Sequence, residues 1–179
     1  MDHAGYQVAA RYWTDRDAEV SPVERMDDGA LRQAVGDFLA SHDTLALATC
    51  ADGAPRCTPL EYAWRDGAIW VFSEGGRKFL GLEPSAGDGS NTVPVSCAVF
   101  EPYAGFGKLR SAQVTGRAEV IDPDDPAFAE AAAAKGIPAS RLPMLAERLH
   151  LIRIEPTEVD YLDSALKREG LATRQHLVL

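Results

Sequence analysis

Two Asp-Gly pairs constrain the fold of this chain more than any other feature of its sequence. Asp52-Gly53 and Asp66-Gly67 each stand between short runs that are rich in β-branched and aromatic residues. Asp-Gly suits the type I′ turn, which needs positive φ at both central residues and matches the twist of a two-stranded hairpin. The sequence therefore predicts three consecutive antiparallel strands, which cover residues of about 44–51, 54–65 and 68–74.

A two-residue turn also sets the register of the first predicted hairpin. Thr49 then lies opposite Arg56, and Leu47 lies opposite Thr58. Because side chains alternate between the two faces of a strand, Arg56, Thr58 and Leu60 share one face. Arg56 and Thr58 could hydrogen-bond a polar planar ligand that Leu60 covers. An ordinary sheet surface with a solvated arginine explains the same pattern, and spacing alone does not decide between the two.

The other elements are strands with helices between them. Leu31, Val35 and Phe38 recur at helical spacing before the first strand. Further strands are predicted at 93–100, 109–121 and 149–163, with a helix that begins at Asp125-Pro126. This order indicates an α+β fold whose antiparallel sheet forms a small barrel. We expect an N-terminal extension over 1–20, one domain over 21–163 and a C-terminal tail over 164–179.

The charge balance limits the partners of the chain. Its 27 acidic and 18 basic residues give a formal net charge of −9. Such a surface repels phosphate, so a general binder of nucleic acid or of anionic membranes is not expected. The sequence shows neither an apolar run long enough to cross a bilayer nor the apolar centre of a signal peptide, and a cytoplasmic location is expected. An anionic ligand would need a local basic pocket.

The segment Ser73-Glu74-Gly75-Gly76-Arg77-Lys78 is the candidate for such a pocket. It places two basic side chains at the predicted start of a short helix, where the helix dipole disfavours cations. Backbone N–H groups of the Gly-Gly turn, the Ser73 hydroxyl, Arg77 and Lys78 together form a plausible cradle for a phosphate. A solvated basic turn is an equally good interpretation, and the spacing is not that of a P-loop.

The sequence offers no metal site and no catalytic side chain. Cys50, Cys57 and Cys97 include no CxxC pair, and with four scattered histidines they show no zinc spacing. Small apolar fillers are the simpler interpretation of all three cysteines. No serine lies in a GxSxG elbow. We therefore identify no nucleophile, general acid or general base.

Four segments, taken in order, resemble the pyridoxamine 5′-phosphate oxidase-like, FMN-binding split-barrel family. The resemblance spans about residues 31–160 and rests on TLALATCADGAPRCTPLEYAW, IWVFSEGGRKFLGLE, VSCAVF and SAQVTGRAEVI. It implies an antiparallel, Greek-key-like split β-barrel with peripheral helices. It also implies a homodimer that binds FMN at the interface between its subunits.

The resemblance assigns roles to ten residues. The strand that runs along the flavin ring would comprise Arg56, Cys57, Thr58, Pro59 and Leu60. Arg77 and Lys78 would hold the phosphate with the help of the Ser73 hydroxyl, and Ser111 and Gln113 would face the flavin. The implied activity is that of an oxidoreductase, in which flavin N5 exchanges hydride with a small-molecule substrate or NAD(P)H.

Three alternatives remain open on the same fold. One is a non-catalytic carrier or sensor of flavin or haem, another is a deazaflavin-dependent reductase, and the third is an interaction module without a cofactor. Residues 173–179 also lack the Trp and Arg-Leu-x-Pro signature of the true oxidase. The resemblance therefore implies a relative of that enzyme rather than pyridoxamine phosphate oxidation itself.

Overall fold

A computed structural model describes residues 3–7, 25–84 and 90–179 of the chain. The expectation for most of the N-terminal extension lies outside these residues. The main elements are listed here in chain order: α1 (Asp28–Ala40), β1 (Thr44–Ala51), β2 (Ala54–Glu61), β3 (Ala63–Arg65), β4 (Ala68–Ser73), β5 (Val93–Phe100), β6 (Arg110–Ile121), α2 (Pro126–Ala134), α3 (Leu142–Ala146), β7 (His150–Asp163) and β8 (Arg174–Val178).

The helix α1 has the amphipathic pattern that the sequence predicts. The Asp27 carboxylate caps its N-terminus by accepting hydrogen bonds from the backbone N–H groups of Gly29 at 2.9 Å and Ala30 at 3.3 Å. The side chains at helical spacing, Leu31, Val35, Phe38 and Leu39, are buried against the sheet. The helix therefore covers one side of the barrel with its apolar face.

Both Asp-Gly hairpins form with the expected turn. The φ angles are 51° and 74° at Asp52 and Gly53, and 54° and 74° at Asp66 and Gly67. In the first hairpin Thr49 lies opposite Arg56, so the predicted register is confirmed. In the second hairpin β3 pairs with β4, and each strand begins or ends directly at the turn.

The two hairpins do not form one continuous meander. The sheet order is β2-β1-β5-β6-β7-β4-β3, with β8 added beside β7, and every pairing is antiparallel. Thus β2 and β3 lie at opposite ends of this path although they are neighbours in sequence. The sheet consequently curls into a half-barrel, and the chain itself joins its two ends.

The prediction of a single strand over 54–65 is therefore wrong, and Tyr62 explains why. Its backbone N–H donates to the carbonyl of Asp43 at 2.7 Å, outside any ladder, and its phenol donates to the carbonyl of Leu39 at 2.6 Å. The ring is buried at this position. Tyr62 is thereby hydrogen-bonded to the junction of α1 and β1. The residues before it pair with β1, and the residues after it pair with β4.

The core fills the inner face of the curled sheet. Its largest cluster packs α1 against apolar side chains of β1, β4, β5, β6 and β7. A second cluster lies beneath α2, where Phe128 contacts Trp70, Ile121 and Leu151. In the described ranges no helix combines the length and the apolar character that crossing a bilayer requires.

Candidate functional site

The predicted phosphate segment follows β4 at one end of the barrel. Ser73 is the last residue of β4, and its hydroxyl donates to the carbonyl of Glu74 at 3.0 Å. The predicted helix is a 3-10 helix of six residues, Arg77–Leu82. Two turns of 3-10 helix have only a small macrodipole, so the helix-dipole part of the sequence argument is weak here. The side chains must supply the positive charge.

Close packing places this 3-10 helix against the end of β1. A Cβ atom at Gly81 would lie 2.8 Å from the Cys50 nitrogen and 2.9 Å from the Thr49 Cβ. Only glycine allows the backbone to approach β1 so closely. Since Thr49 pairs with Arg56, the 3-10 helix also comes next to the first half of β2.

Lys78 organises the loop that precedes the 3-10 helix. Its side chain is 6% exposed, and its Nζ donates to the carbonyls of Glu74 at 2.8 Å and Gly75 at 3.0 Å. Nζ also lies 4.9 Å from the centre of the Phe79 ring. An ammonium group has three protons, so one remains for a ligand after the loop carbonyls are bound. Lys78 therefore shapes the loop as well as adding charge.

A second cation reaches this lysine from β2. Burial lowers the pKa of Lys78, and the charge of Arg56 lowers it further, whereas Glu74 acts in the opposite direction. Arg56 and Arg77 are both exposed beside it. We call Arg56, Arg77 and Lys78, together with Ser73, the basic cluster. An anion bound there would relieve the repulsion among the three cations.

The inner face of β2 carries the side chains that the sequence placed together. Arg56, Thr58 and Leu60 face the same side as the buried residues of β1. Leu60 packs against the core. The Thr58 Oγ1 is buried and has no hydrogen-bond partner among the described residues. A buried hydroxyl without a partner is costly, so this position suits a bound polar group.

Ser111 and Gln113 lie on the other side of the sheet. Their neighbours Ala112 and Val114 point into the core, and Gln113 is exposed on the outer face. The structure therefore does not bring Ser111 and Gln113 together with the basic cluster within one chain. The physical reason is the two-residue alternation of a strand, which sends them away from the face that holds Arg56 and Thr58.

Cys57 and Pro59 share the outer face with Gln113. Register places Pro59 opposite Ala46, Ala46 opposite Ala98, and Ala98 opposite Gln113. The row across four strands is thus uncharged, and its central members are small. A flat uncharged face of this kind can approach another surface closely.

The open edge of β2 has an unusual pattern of backbone groups. The described part of the sheet pairs β2 with β1 alone. In an antiparallel hairpin with a two-residue turn, every second residue points its backbone N–H and C=O groups away from the partner strand. On β2 these residues are Pro55, Cys57 and Pro59. Proline has no N–H, so between residues 55 and 59 the outward donor is the N–H of Cys57. The prolines block strand addition and leave one donor beside outward carbonyl groups.

Sequence patterns did not reveal two outer-face residues next to Gln113. Asp160 of β7 lies opposite Gln113, and His176 of β8 lies opposite Asp160. The His176 Nδ1 and the Asp160 Oδ1 are 2.9 Å apart. A carboxylate in this position fixes the imidazole ring and directs its Nε2 outward. No local motif could show this pair, because it depends on the pairing of β6, β7 and β8.

A family model described as pyridoxamine 5′-phosphate oxidase matches residues 31–163. No curated protein matches the chain. Among solved structures, an FAD-binding protein from Mesorhizobium loti is 24% identical, with 72% of this chain and 89% of that chain covered and a TM-score of 0.53.

Two further structures share the architecture. HutZ, the haem storage protein from Vibrio cholerae, is 17% identical, with 69% of this chain and 88% of that chain covered and a TM-score of 0.54. A conserved hypothetical protein from Mycobacterium tuberculosis is 22% identical, with 83% and 91% covered and a TM-score of 0.58. At these identities the likeness shows the fold alone, and it confirms the predicted antiparallel split barrel with peripheral helices.

Proposed function

The chain belongs to the pyridoxamine 5′-phosphate oxidase family, and on that premise we propose that it is a flavoprotein whose basic cluster holds the phosphate of FMN. The observation that carries this proposal is the packing of the 3-10 helix that bears Arg77 and Lys78 against Thr49, the residue paired with Arg56. Three cations are gathered there in a chain whose formal net charge is −9. This is the local basic pocket that an anionic ligand requires.

The residues present suit a flavin. The exposed guanidinium groups of Arg56 and Arg77 can bind phosphate oxygens, and Lys78 has one proton left for them. The N–H and carbonyl of Cys57 offer a donor and an acceptor to the polar edge of the ring. Thr58 Oγ1 supplies a buried hydroxyl that needs a partner. Leu60 and Pro59 provide apolar surface around the same strand.

We further propose that the protein acts as a homodimer and as an oxidoreductase. A bound flavin supplies the electron chemistry, with hydride exchanged at N5 between the ring and a small-molecule substrate or NAD(P)H. The protein binds and orients the ring through β2 and excludes water with the core beneath Leu60. A second copy on the uncharged outer face would bring its Ser111 and Gln113 towards the β2 edge of the first copy.

The phosphate assignment is tested by removing charge at two exposed positions. We expect Arg56→Ala combined with Arg77→Ala to weaken FMN binding at least ~10²-fold, because each charge-assisted hydrogen bond contributes about 1.5–3 kcal/mol. The Kd is measured by titration of the visible flavin absorption, after the spectrum of the protein as purified has been recorded. Arg141→Ala, an exposed charge change on the 3-10 turn before α3, is the matched control and should leave the Kd unchanged.

Riboflavin makes this test specific. It has the ring but no phosphate, so the double variant should bind it as the unaltered protein does. An unchanged Kd for FMN in the double variant would contradict the phosphate assignment. Competition between FMN, FAD and a deazaflavin then identifies which cofactor binds most tightly, and reduction by NAD(P)H separates an enzyme from a carrier.

A haem carrier is the second candidate, and the Asp160–His176 pair favours it. A carboxylate that holds one imidazole nitrogen is the usual support of a metal-ligating histidine. HutZ, which has the same fold, is a haem storage protein. Added haem would then give a Soret band that His176→Ala shifts or abolishes. A Soret band that is the same in both proteins would remove His176 as the haem ligand.

A further inference from the structure

One histidine stands beside the basic cluster, and neither the motif nor the flavin proposal uses it. His150 is the first residue of β7 and lies directly opposite Ser73 across the β4–β7 ladder. Its imidazole packs against the Phe79 ring, with 4.9 Å between the ring centres and 65° between their planes. The same Phe79 ring lies 4.9 Å from the Nζ of Lys78. The imidazole and the lysine therefore share one aromatic neighbour.

The surroundings of His150 leave its nitrogens available. Among the described residues neither ring nitrogen has a side-chain or backbone partner, and the side chain is exposed. Two basic groups flank it: Lys78 on Phe79, and Arg148 just before β7. Two acidic residues lie nearby as well. Glu74 follows Ser73 in sequence, and Asp122 follows Ile121, which pairs with Leu151. The exposed imidazole is thus flanked by charges of both signs.

We propose that His150 is an additional phosphate-binding residue of this site, and that its protonated form strengthens the binding of a phosphomonoester. The proposal rests on the flavin function above and assigns to that site a dependence on pH. A neutral imidazole contributes one N–H, whereas an imidazolium contributes a positive charge and a charge-assisted hydrogen bond. Because His150 pairs with Ser73 across the β4–β7 ladder, its imidazole would add a ring N–H to the donors of Arg77 and Lys78.

The direction of the pH effect follows from linkage. A bound phosphate favours the protonated ring of His150, because the two groups carry opposite charges. Binding is therefore coupled to the uptake of a proton, and this contribution to the affinity grows as the pH falls. The phosphate of FMN has its own second pKa near ~6 and acts in the opposite direction below it. The informative quantity is thus the ratio of the Kd of a variant to that of the unaltered protein.

The test measures the Kd for FMN between pH 5.5 and pH 8.5 for the unaltered protein and for His150→Gln. Glutamine keeps a hydrogen-bond donor but does not titrate. We expect the Kd ratio to grow from about 1 at the alkaline end to about 10 at the acid end, as one charge-assisted contact is gained. Arg141→Gln removes an exposed charge on the 3-10 turn before α3, so its ratio should be the same at every pH. Riboflavin binding should show no effect of His150 at any pH.

A second measurement does not depend on the variant. The imidazole of His150, followed by NMR in the unaltered protein, should titrate at higher pH once FMN is added. If FMN binds but the Kd ratio for His150→Gln is flat and the NMR titration does not move, the His150 proposal is wrong and the flavin function stands. If neither FMN nor riboflavin binds at any pH, both proposals are wrong.

Discussion

The two hairpins share one turn and have opposite surroundings. Asp52-Gly53 and Asp66-Gly67 have φ angles that agree within a few degrees. Yet most residues of β2, in the first hairpin, are exposed, whereas five of the six residues of β4, in the second, are buried. The same turn sequence is thus followed by an exposed strand in one hairpin and by a buried strand in the other.

Position in the sheet accounts for the difference. β2 has β1 as its neighbour and an edge blunted by prolines, while β4 lies between β3 and β7. α2 also covers β4, where the Phe72 and Phe128 rings meet edge to face at 5.3 Å. A turn decides which strands pair, but the long-range pairings decide whether a strand supports the core or presents a site. This is why the exposed strand of the candidate site, β2, belongs to the first hairpin, whereas Ser73 comes from the end of the buried strand β4.

Thiol labelling should give the largest difference, between an exposed cysteine of the first hairpin and a buried cysteine on the strand next to it. Cys50 is exposed, whereas Cys97 is buried beside Leu47 on the neighbouring strand, and burial raises the pKa of its thiol to about 12. Only the thiolate reacts, so at pH 8 we expect Cys97 to react at least ~10³-fold more slowly than Cys50. The measurement uses a Cys57→Ser variant, so that each protein has one exposed and one buried thiol.

Unfolding in urea supplies the control for this labelling. Once the chain is unfolded, both thiols should react at the same rate, since their pKa values then coincide. Two thiols that react together in the folded protein would show that the inner face under β1 opens readily, and the contrast between the two faces would be lost.

Side-chain truncation should separate the two hairpins in stability. Ile69 of β4 is fully buried, and we expect Ile69→Ala to lower the free energy of unfolding by about 2–5 kcal/mol. Leu60 of β2 is half-buried, so Leu60→Ala should cost only about 1 kcal/mol. Urea unfolding with an unchanged slope measures both values. Equal losses would mean that β2 is as much a part of the core as β4.

The turns themselves should behave alike, which gives the smallest contrast. A Cβ atom at Gly53 or at Gly67 would have no neighbour within 4 Å, so only the backbone conformation matters at either position. We expect Gly53→Ala and Gly67→Ala each to cost about 1–2 kcal/mol, the usual cost of a left-handed residue with a side chain. Losses that differ by more than about 1 kcal/mol would show that the surrounding strands strain one turn.

The sequence predicted what short-range chemistry controls. The turns, the register of β1 with β2 and the apolar spacing of helix α1 all follow from neighbouring residues, and each is confirmed. The break at Tyr62 could not be predicted, because it depends on the carbonyls of Leu39 and Asp43 at the end of α1. The alternating sequence pattern of residues 54–65 continues through Tyr62, so it gives no sign of the break between β2 and β3.

The residues of the candidate site could likewise be predicted where they are close in sequence, but not where only the fold brings them together. Ser73, Arg77 and Lys78 are close in sequence, and the motif predicted their proximity. Arg56 joins them only because Gly81 packs against β1, which no spacing reveals. Ser111 and Gln113 were placed with the flavin residues by family resemblance, and strand alternation puts them on the outer face with Cys57 and Pro59, away from Arg56 and Thr58.

The closure of the sheet by β4 and β7 has a consequence for synthesis. Ile69 lies opposite Ile154 in this ladder, with about half of the chain between them. At ribosomal rates of about 5–20 residues per second, the apolar strand β4 is complete roughly 4–17 s before its partner exists. The hairpin forms in microseconds, so β4 must wait with its outer edge unpaired. The nascent chain therefore passes through a long interval in which a trigger factor or another holding chaperone has an apolar strand to protect.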